Sequence, residues 1–333
     1  MCVQGNPVNL TLSSLTGIIV GITLAFFSFG SISLKRCPIL ALLFLTLAAS
    51  GQSIPVGSSS KSKQIAVSFF AMDREGHPIA DVKQGDLGIL DNKQPVASIL
   101  SVKRSSELAL QLGLLIDASN SERASSLYRP GVKAAFGLLD QILSGPDDRV
   151  VVVRVANEPQ ATAMMNRDEL LKYKLDLTPS GRTALYDGIS LASDQITKVG
   201  TPLLTRRVLI LLSDGDDDAS RLNRDEALAA ALKAGVVVFA VSTEDDSHSS
   251  GFSDKGNRTL KQFADKTGGQ AFLHLGTHDI DRVFAEIQEQ IAQMYSVAFT
   301  PGDEVEKDFH PVKLTWSGPG TVRLRAPAGY YPK

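Results

Sequence analysis

Asp117, Ser119 and Ser121 stand at alternate positions where an apolar run gives out, in the segment "LGLLIDASNSE". Oxygen-bearing side chains at this spacing have two uses. They bond their own backbone in a turn, as Asp, Asn and Ser do, or they converge on a hard cation, which takes oxygen ligands in a near-octahedral array. Two other places offer the same chemistry. In "VLILLSDGDDDAS" a second apolar run ends at Ser213, Asp214 and Gly215, and in "TPSGRTALYDG" a loop leading into a helical stretch offers Thr183. Taken singly, each has a plain reading: a turn at Asp117, an N-cap at Thr183, a tight turn at Asp214 and Gly215. Taken jointly, in this order and at strand ends, they favour the metal. The run Asp216, Asp217 and Asp218 reads as a solvated loop that raises negative potential nearby.

The elements that must position these residues are legible from hydrophobic periodicity. "ALQLGLLI", "RVVVVRVA", "RRVLILLS" and "GVVVFAVS" have the continuous apolarity of strands covered on both faces. Helical stretches lie between them: "PGVKAAFGLLDQIL", with Pro130 suited to a first turn, "TALYDGISLASDQITKV", and "NRDEALAAALKAG", with Asn223 as N-cap and Gly235 as stop. "NRTLKQFADKTGG", "QAFLHL" and "DIDRVFAEIQEQIAQM" continue the pattern. The expected fold class is α/β, a doubly wound Rossmann-like sheet over residues 108–295, and ligands of such sheets sit beyond the carboxyl ends of the strands at the switch point. Residues 64–107 and 296–333 are β-rich instead, and the two flanks are expected to complete one small β-sandwich-like module split by the α/β insert.

Asp117, Ser119, Ser121, Thr183 and Asp214 resemble the metal-ion-dependent adhesion site of von Willebrand factor A (VWFA) domains. The resemblance covers residues 108 to about 295. The flanks, "DREGHPIADVKQGDLGILDNKQPVASI" before and "YSVAFTP", "VKLTW" and "GYYPK" after, resemble an exported VWFA-related acidobacterial-type group. Within the metal loop, Asn120 and Glu122 replace the glycine and the apolar residue common in the family. The resemblance implies Mg²⁺ or Mn²⁺, held directly by Ser119, Ser121 and Thr183 while Asp117 and Asp214 act largely through water. An ion bound mostly by neutral hydroxyls keeps positive charge and seeks an anionic ligand, so the implied partner is a protein presenting an Asp or Glu carboxylate.

The N-terminus bears on location. Residues 1–34 carry no charge; Lys35 and Arg36 precede the short apolar run "CPILALLFLTLAAS". Residues 35–50 therefore read as signal-peptide-like, and 15–34 are long enough for a transmembrane helix unless the start is placed too far upstream. Either way the basic pair stays cytoplasmic and the globular part is expected outside, periplasmic or extracellular, with membrane contact only through the N-terminal hydrophobic segment. Residues 51–63, "GQSIPVGSSSKSK", read as a flexible linker.

The chain has 34 basic and 36 acidic residues, a net charge of −2, and loss of residues 1–50 would remove only Lys35 and Arg36 and take it to −4. Generic nucleic-acid binding is not expected at that charge. Both cysteines, Cys2 and Cys37, precede residue 51, so the remainder holds neither disulfide nor thiol nucleophile. Enzyme signatures fail: "GFSDKG" has Lys255 where G-x-S-x-G needs glycine, "HLGTH" lacks a glutamate after His274, and no nucleotide loop is present. A phosphatase of the D-x-D type would need an acid where Ser119 stands. The expected function is non-catalytic, metal-dependent protein binding or adhesion at the cell envelope. The alternatives are an envelope-assembly module in which the metal only stiffens the loop, and a Mg²⁺-dependent hydrolase. The sequence leaves oligomeric state open.

Overall fold

Runs of valine, leucine and isoleucine with no polar alternation cannot leave either face in water, and in this chain they form the centre of a sheet. A computed structural model describes residues 64–198, 200, 202–244, 253–301 and 308–332. The chain divides into two units, Met1–Gly57 and Ser58–Lys333, and all described residues belong to the second. The expected export segment and linker lie outside the described residues. Among these residues no helix is long and apolar enough to cross a membrane.

The first flank supplies strands β1 (Ile65–Met72), β2 (Leu87–Asp91), β3 (Gln94–Pro95) and β4 (Ser98–Arg104). The α/β region follows with β5 (Leu110–Asp117), α1 (Tyr128–Ile142), β6 (Arg149–Val155), β7 (Gln160–Ala161), α2 (Arg167–Lys172), α3 (Leu185–Lys198), β8 (Arg206–Ser213), α4 (Arg224–Ala234), β9 (Val237–Ser242), α5 (Ser253–Thr267), β10 (Gln270–Phe272) and α6 (Ile280–Ala292). The second flank closes with β11 (Tyr295–Thr300), β12 (His310–Trp316), β13 (Arg323–Arg325) and β14 (Gly329–Tyr330).

Six strands form the central sheet in the order β10-β9-β8-β5-β6-β7, parallel except for the edge strand β7. Strand order reverses between β5 and β8, which places a switch point beside the ends of both. Alternate residues of β5 serve opposite cores. Leu112, Leu114 and Ile116 pack with Leu138 and Leu139 of α1 and Val283 and Ile287 of α6. Leu115 packs on the other face with Leu185 and Ile189 of α3 and Phe263 of α5. All eight residues of β5 are buried, so the strand that carries Asp117 is fixed from both sides. Helix α4 begins and ends where its sequence signals stand: Asn223 accepts from the amides of Asp225 and Glu226, and Gly235 closes the helix at φ 66°.

The flanks build two antiparallel sheets, β13-β1-β11-β4 and β14-β12-β2-β3, each mixing strands from before and after the α/β region. Phe69, Leu87, Ile89, Val297, Phe299 and Leu314 form the core between them. The expected sandwich of N- and C-terminal strands is thus the observed arrangement. It is tied to the α/β region by Arg325, whose guanidinium donates to Gln270 at 2.9 Å, to Gln290 at 2.6 Å and to the Gly268 carbonyl at 3.1 Å, and lies over the Phe70 ring. Burial lowers the Arg325 pKa to about 10, which leaves the side chain charged at neutral pH.

Candidate metal centre

A strand buried on both faces ends abruptly when its next residue is an acid, and at the end of β5 that acid is held in place. Asp117 is fully buried; its Oδ1 accepts from the Ser119 amide at 3.0 Å and its Oδ2 from the Ser213 hydroxyl at 2.7 Å. The first bond is the expected turn at Asp117, and it leaves Asp117 beside the other candidate donors. The second joins the ends of β5 and β8, and Ser213 Oγ also accepts from the Gly215 amide at 3.0 Å. Ser119 is buried and Ser121 is exposed, with their hydroxyls 2.9 Å apart.

The Thr183 loop lies against this turn. The Asn120 amide donates to the Gly181 carbonyl at 2.9 Å, and the Ser180 amide donates to the Ala118 carbonyl at 2.7 Å. Thr183 is buried two residues ahead of α3. Its amide donates to Asp218 Oδ1 at 2.8 Å, and its carbonyl accepts from the amides of Asp218 and Ala219 at 3.0 and 2.9 Å. Asp217 Oδ1 receives the Tyr186 amide at 3.2 Å and the Ser220 hydroxyl. The aspartate run is therefore no mere solvated loop: Asp217 and Asp218 moor the start of α3 to the loop after β8, because amides at a helix start need acceptors.

Asp214 is half-buried, and its Oδ1 accepts from the Asp216 amide at 3.0 Å. The turn behind it needs two glycines. Gly215 has φ +84°, and a Cβ there would stand 2.3 Å from the Gly256 carbonyl oxygen; one on Gly256 would stand 2.2 Å from the Asp214 carbonyl oxygen.

One member of the site was seen in the sequence only as a departure. Glu122 is 2% exposed, and its Oε1 accepts from the Thr243 hydroxyl, just past β9, at 2.6 Å. Carboxylate oxygens of Asp117, Glu122 and Asp214 lie within 4.8 Å of one another. The sequence marks Ser213 only as a strand end and gives no sign of Thr243, since their contacts span 96 and 121 residues. The one available signal was Glu122 itself, an acid beside a turn where an apolar residue would pack.

The electrostatics follow from this crowding. Burial, followed by the negative charge of Asp214, pushes the Asp117 carboxyl up to about 7, against the hydrogen bonds from Ser213 and Ser119. Burial, then the charges of Asp117 and Asp214, hold Glu122 well above the ordinary carboxylate range. Burial and the Asp214 charge also raise Asp216. Among the described residues no ion pair reaches the trio; the nearby Arg182 pairs with Asp218. A buried acid cluster of this kind takes up protons or a cation. Three carboxylates with the Ser119 and Ser121 hydroxyls form an all-oxygen donor set that fits a hard divalent cation, and among the described residues Glu122 Oε2 is buried with no hydrogen-bond partner.

No family model and no curated protein matches the chain. Among solved structures it is similar to a von Willebrand factor type A protein from Catenulispora acidiphila, at 11% identity over 79% of this chain and 72% of that one, TM-score 0.44. It is also similar to an aerotolerance-related membrane protein from Bacteroides fragilis, at 15% identity over 55% and 98%, TM-score 0.39. A third is proximal thread matrix protein 1 from the mussel byssus with a zinc-occupied MIDAS motif, at 17% identity over 59% and 48%, TM-score 0.42. The expected α/β class rests on the chain's own topology: a sheet ordered β10-β9-β8-β5-β6-β7, parallel but for one edge strand, with an acidic cluster at its switch point.

Proposed function

We propose that this protein is a non-catalytic, divalent-cation-dependent binding protein that works outside the cytoplasm. One observation carries the reading: carboxylates of Asp117 and Glu122 from the turn after β5 and of Asp214 from the end of β8 meet at the switch point, and among the described residues no ion pair offsets them. Ser119, Ser121 and Thr183, with Asp117 and Asp214 behind them, are the residues that would hold Mg²⁺ or Mn²⁺. A bound ion would supply a Lewis-acidic position for an oxygen ligand. The chain's own part is to fix that position: Asp117 ties β5 to β8, and Asp217 and Asp218 hold the Thr183 loop. The partner is a protein presenting an Asp or Glu carboxylate, captured without any bond being made or broken. Export rests on Lys35, Arg36 and the apolar run that follows.

The test is a pull-down from envelope extracts with Mg²⁺, with chelator, and with Asp117→Ala. Proteins recovered only by the wild type with Mg²⁺ are expected; the same proteins recovered in chelator would sink the reading. A second reading has an observation of its own, since Asn120, Ser180 and Ser213 already lace the site loops together. A metal that only stiffens this mesh predicts lower thermal stability in chelator with partner recovery unchanged.

A further inference from the structure

Glu122 occupies a place that a metal-free architecture does not explain. It is 2% exposed in a turn of otherwise small and polar residues, where an apolar side chain would fill the same space without desolvating a charge. The Thr243 hydroxyl donates to Oε1 at 2.6 Å and the Asp214 amide lies near the carboxylate, while Oε2 is buried and has no hydrogen-bond partner among the described residues. Thr243 is itself anchored, its amide donating to the Ser213 carbonyl at 3.1 Å and its carbonyl accepting from the Ser125 hydroxyl at 2.5 Å. The carboxylate is thus held on the side of the cluster nearest β9, within 4.8 Å of acid oxygens from the ends of β5 and β8.

We propose that Glu122 is a third carboxylate of the metal centre, acting directly on the cation. This rests on the metal reading above and deepens it. Three carboxylates around a divalent ion leave the shell net negative, so the ion is held more firmly and pulls less on an acidic partner than an ion offset by two. Glu122 exchanges strength of partner capture for retention of the ion, and it favours cations of higher charge.

The experiment measures Mn²⁺ binding by calorimetry, and Tb³⁺ binding by its luminescence, on the wild type, Glu122→Gln and Asp117→Ala, with circular dichroism in chelator as the folding control. Glu122→Gln keeps the volume and an acceptor for Thr243. It is expected to weaken Mn²⁺ by at least ~10-fold, in the range seen when residues supporting metal ligands are removed, and to weaken Tb³⁺ by more than Mn²⁺. Equal Mn²⁺ affinity in Glu122→Gln and wild type, with binding lost in Asp117→Ala, would overturn the role of Glu122 and leave the metal reading standing. A wild type that binds neither ion would overturn both. Should Glu122→Gln fail to fold in chelator, Thr243→Val decides: releasing the carboxylate is expected to weaken Mn²⁺ measurably, and unchanged affinity would overturn the proposal.

Discussion

Two parts of the molecule bury acids, and they do so on different terms. In the flanking sandwich Asp91, at the end of β2, accepts from the Tyr330 hydroxyl at 2.8 Å and lies 3.2 Å from His310 Nδ1, while the His310 and Tyr330 rings stack 5.4 Å apart. Both carboxylate oxygens there have partners from the same small module. At the rim of the central sheet Asp117, itself bonded by Ser119 and Ser213, also faces Glu122 and Asp214, and Glu122 Oε2 has no partner among the described residues. A satisfied buried acid is an internal fastening; an acid cluster without compensation is chemistry awaiting an outside charge. The sandwich uses its acid to pin the C-terminal strand, and the rim leaves its acids crowded together.

Substitutions should separate the two regions. The largest effect is expected from Asp117→Ala, which should abolish calorimetric Mn²⁺ binding and the rise in melting temperature on adding Mg²⁺. A variant that still gains stability from Mg²⁺ would erase the distinction. Asp91→Ala should leave Mn²⁺ affinity at the wild-type value while lowering stability by about 1–3 kcal/mol in urea denaturation, because it strands the Tyr330 hydroxyl. A loss of ion binding in that variant would mean that the sandwich and the rim are coupled.

The contrast also has a pH signature. Asp117 is raised to about 7 in the folded chain from an ordinary value of 3.8, so between these values the folded state holds a proton that the unfolded state has lost. Stability of chelator-treated protein should therefore fall as pH rises through that window and level off above it. Glu122 is raised in the same direction and adds to the fall. Saturating Mg²⁺ should flatten or reverse the slope, as chemical denaturation from pH 4 to 8 would reveal. The smallest expected change belongs to Tyr330→Phe, which removes one hydrogen bond to Asp91 and should cost about 0.5–1.5 kcal/mol with no change in Mn²⁺ affinity.

Much of this was readable in advance, for local reasons. The core strands announce themselves because a parallel strand buried on both faces has no polar alternation, and "ALQLGLLI" and "RVVVVRVA" became β5 and β6. Asn223 and Gly235 bound α4 because caps act within a few residues. Asp117, Ser119 and Ser121 sit together for the same reason, two residues apart at a strand end. Asp217 and Asp218 read as solvated, and what they hold lies 31 to 35 residues away in sequence. Glu122 registered only as a substitution in a pattern, since nothing local says which way an acid in a turn will point.

Sequence by itself determined the sheet, its helices and the candidate oxygen donors at the strand ends, because apolar periodicity and turn chemistry operate over short stretches of chain. Tertiary structure alone decided that Glu122 turns inward, that Ser213 braces Asp117 and that Thr243 orients the third carboxylate. Those choices depend on adjacent strands ending side by side, and the energy of a buried charge is set by whatever the fold brings within a few ångströms of it.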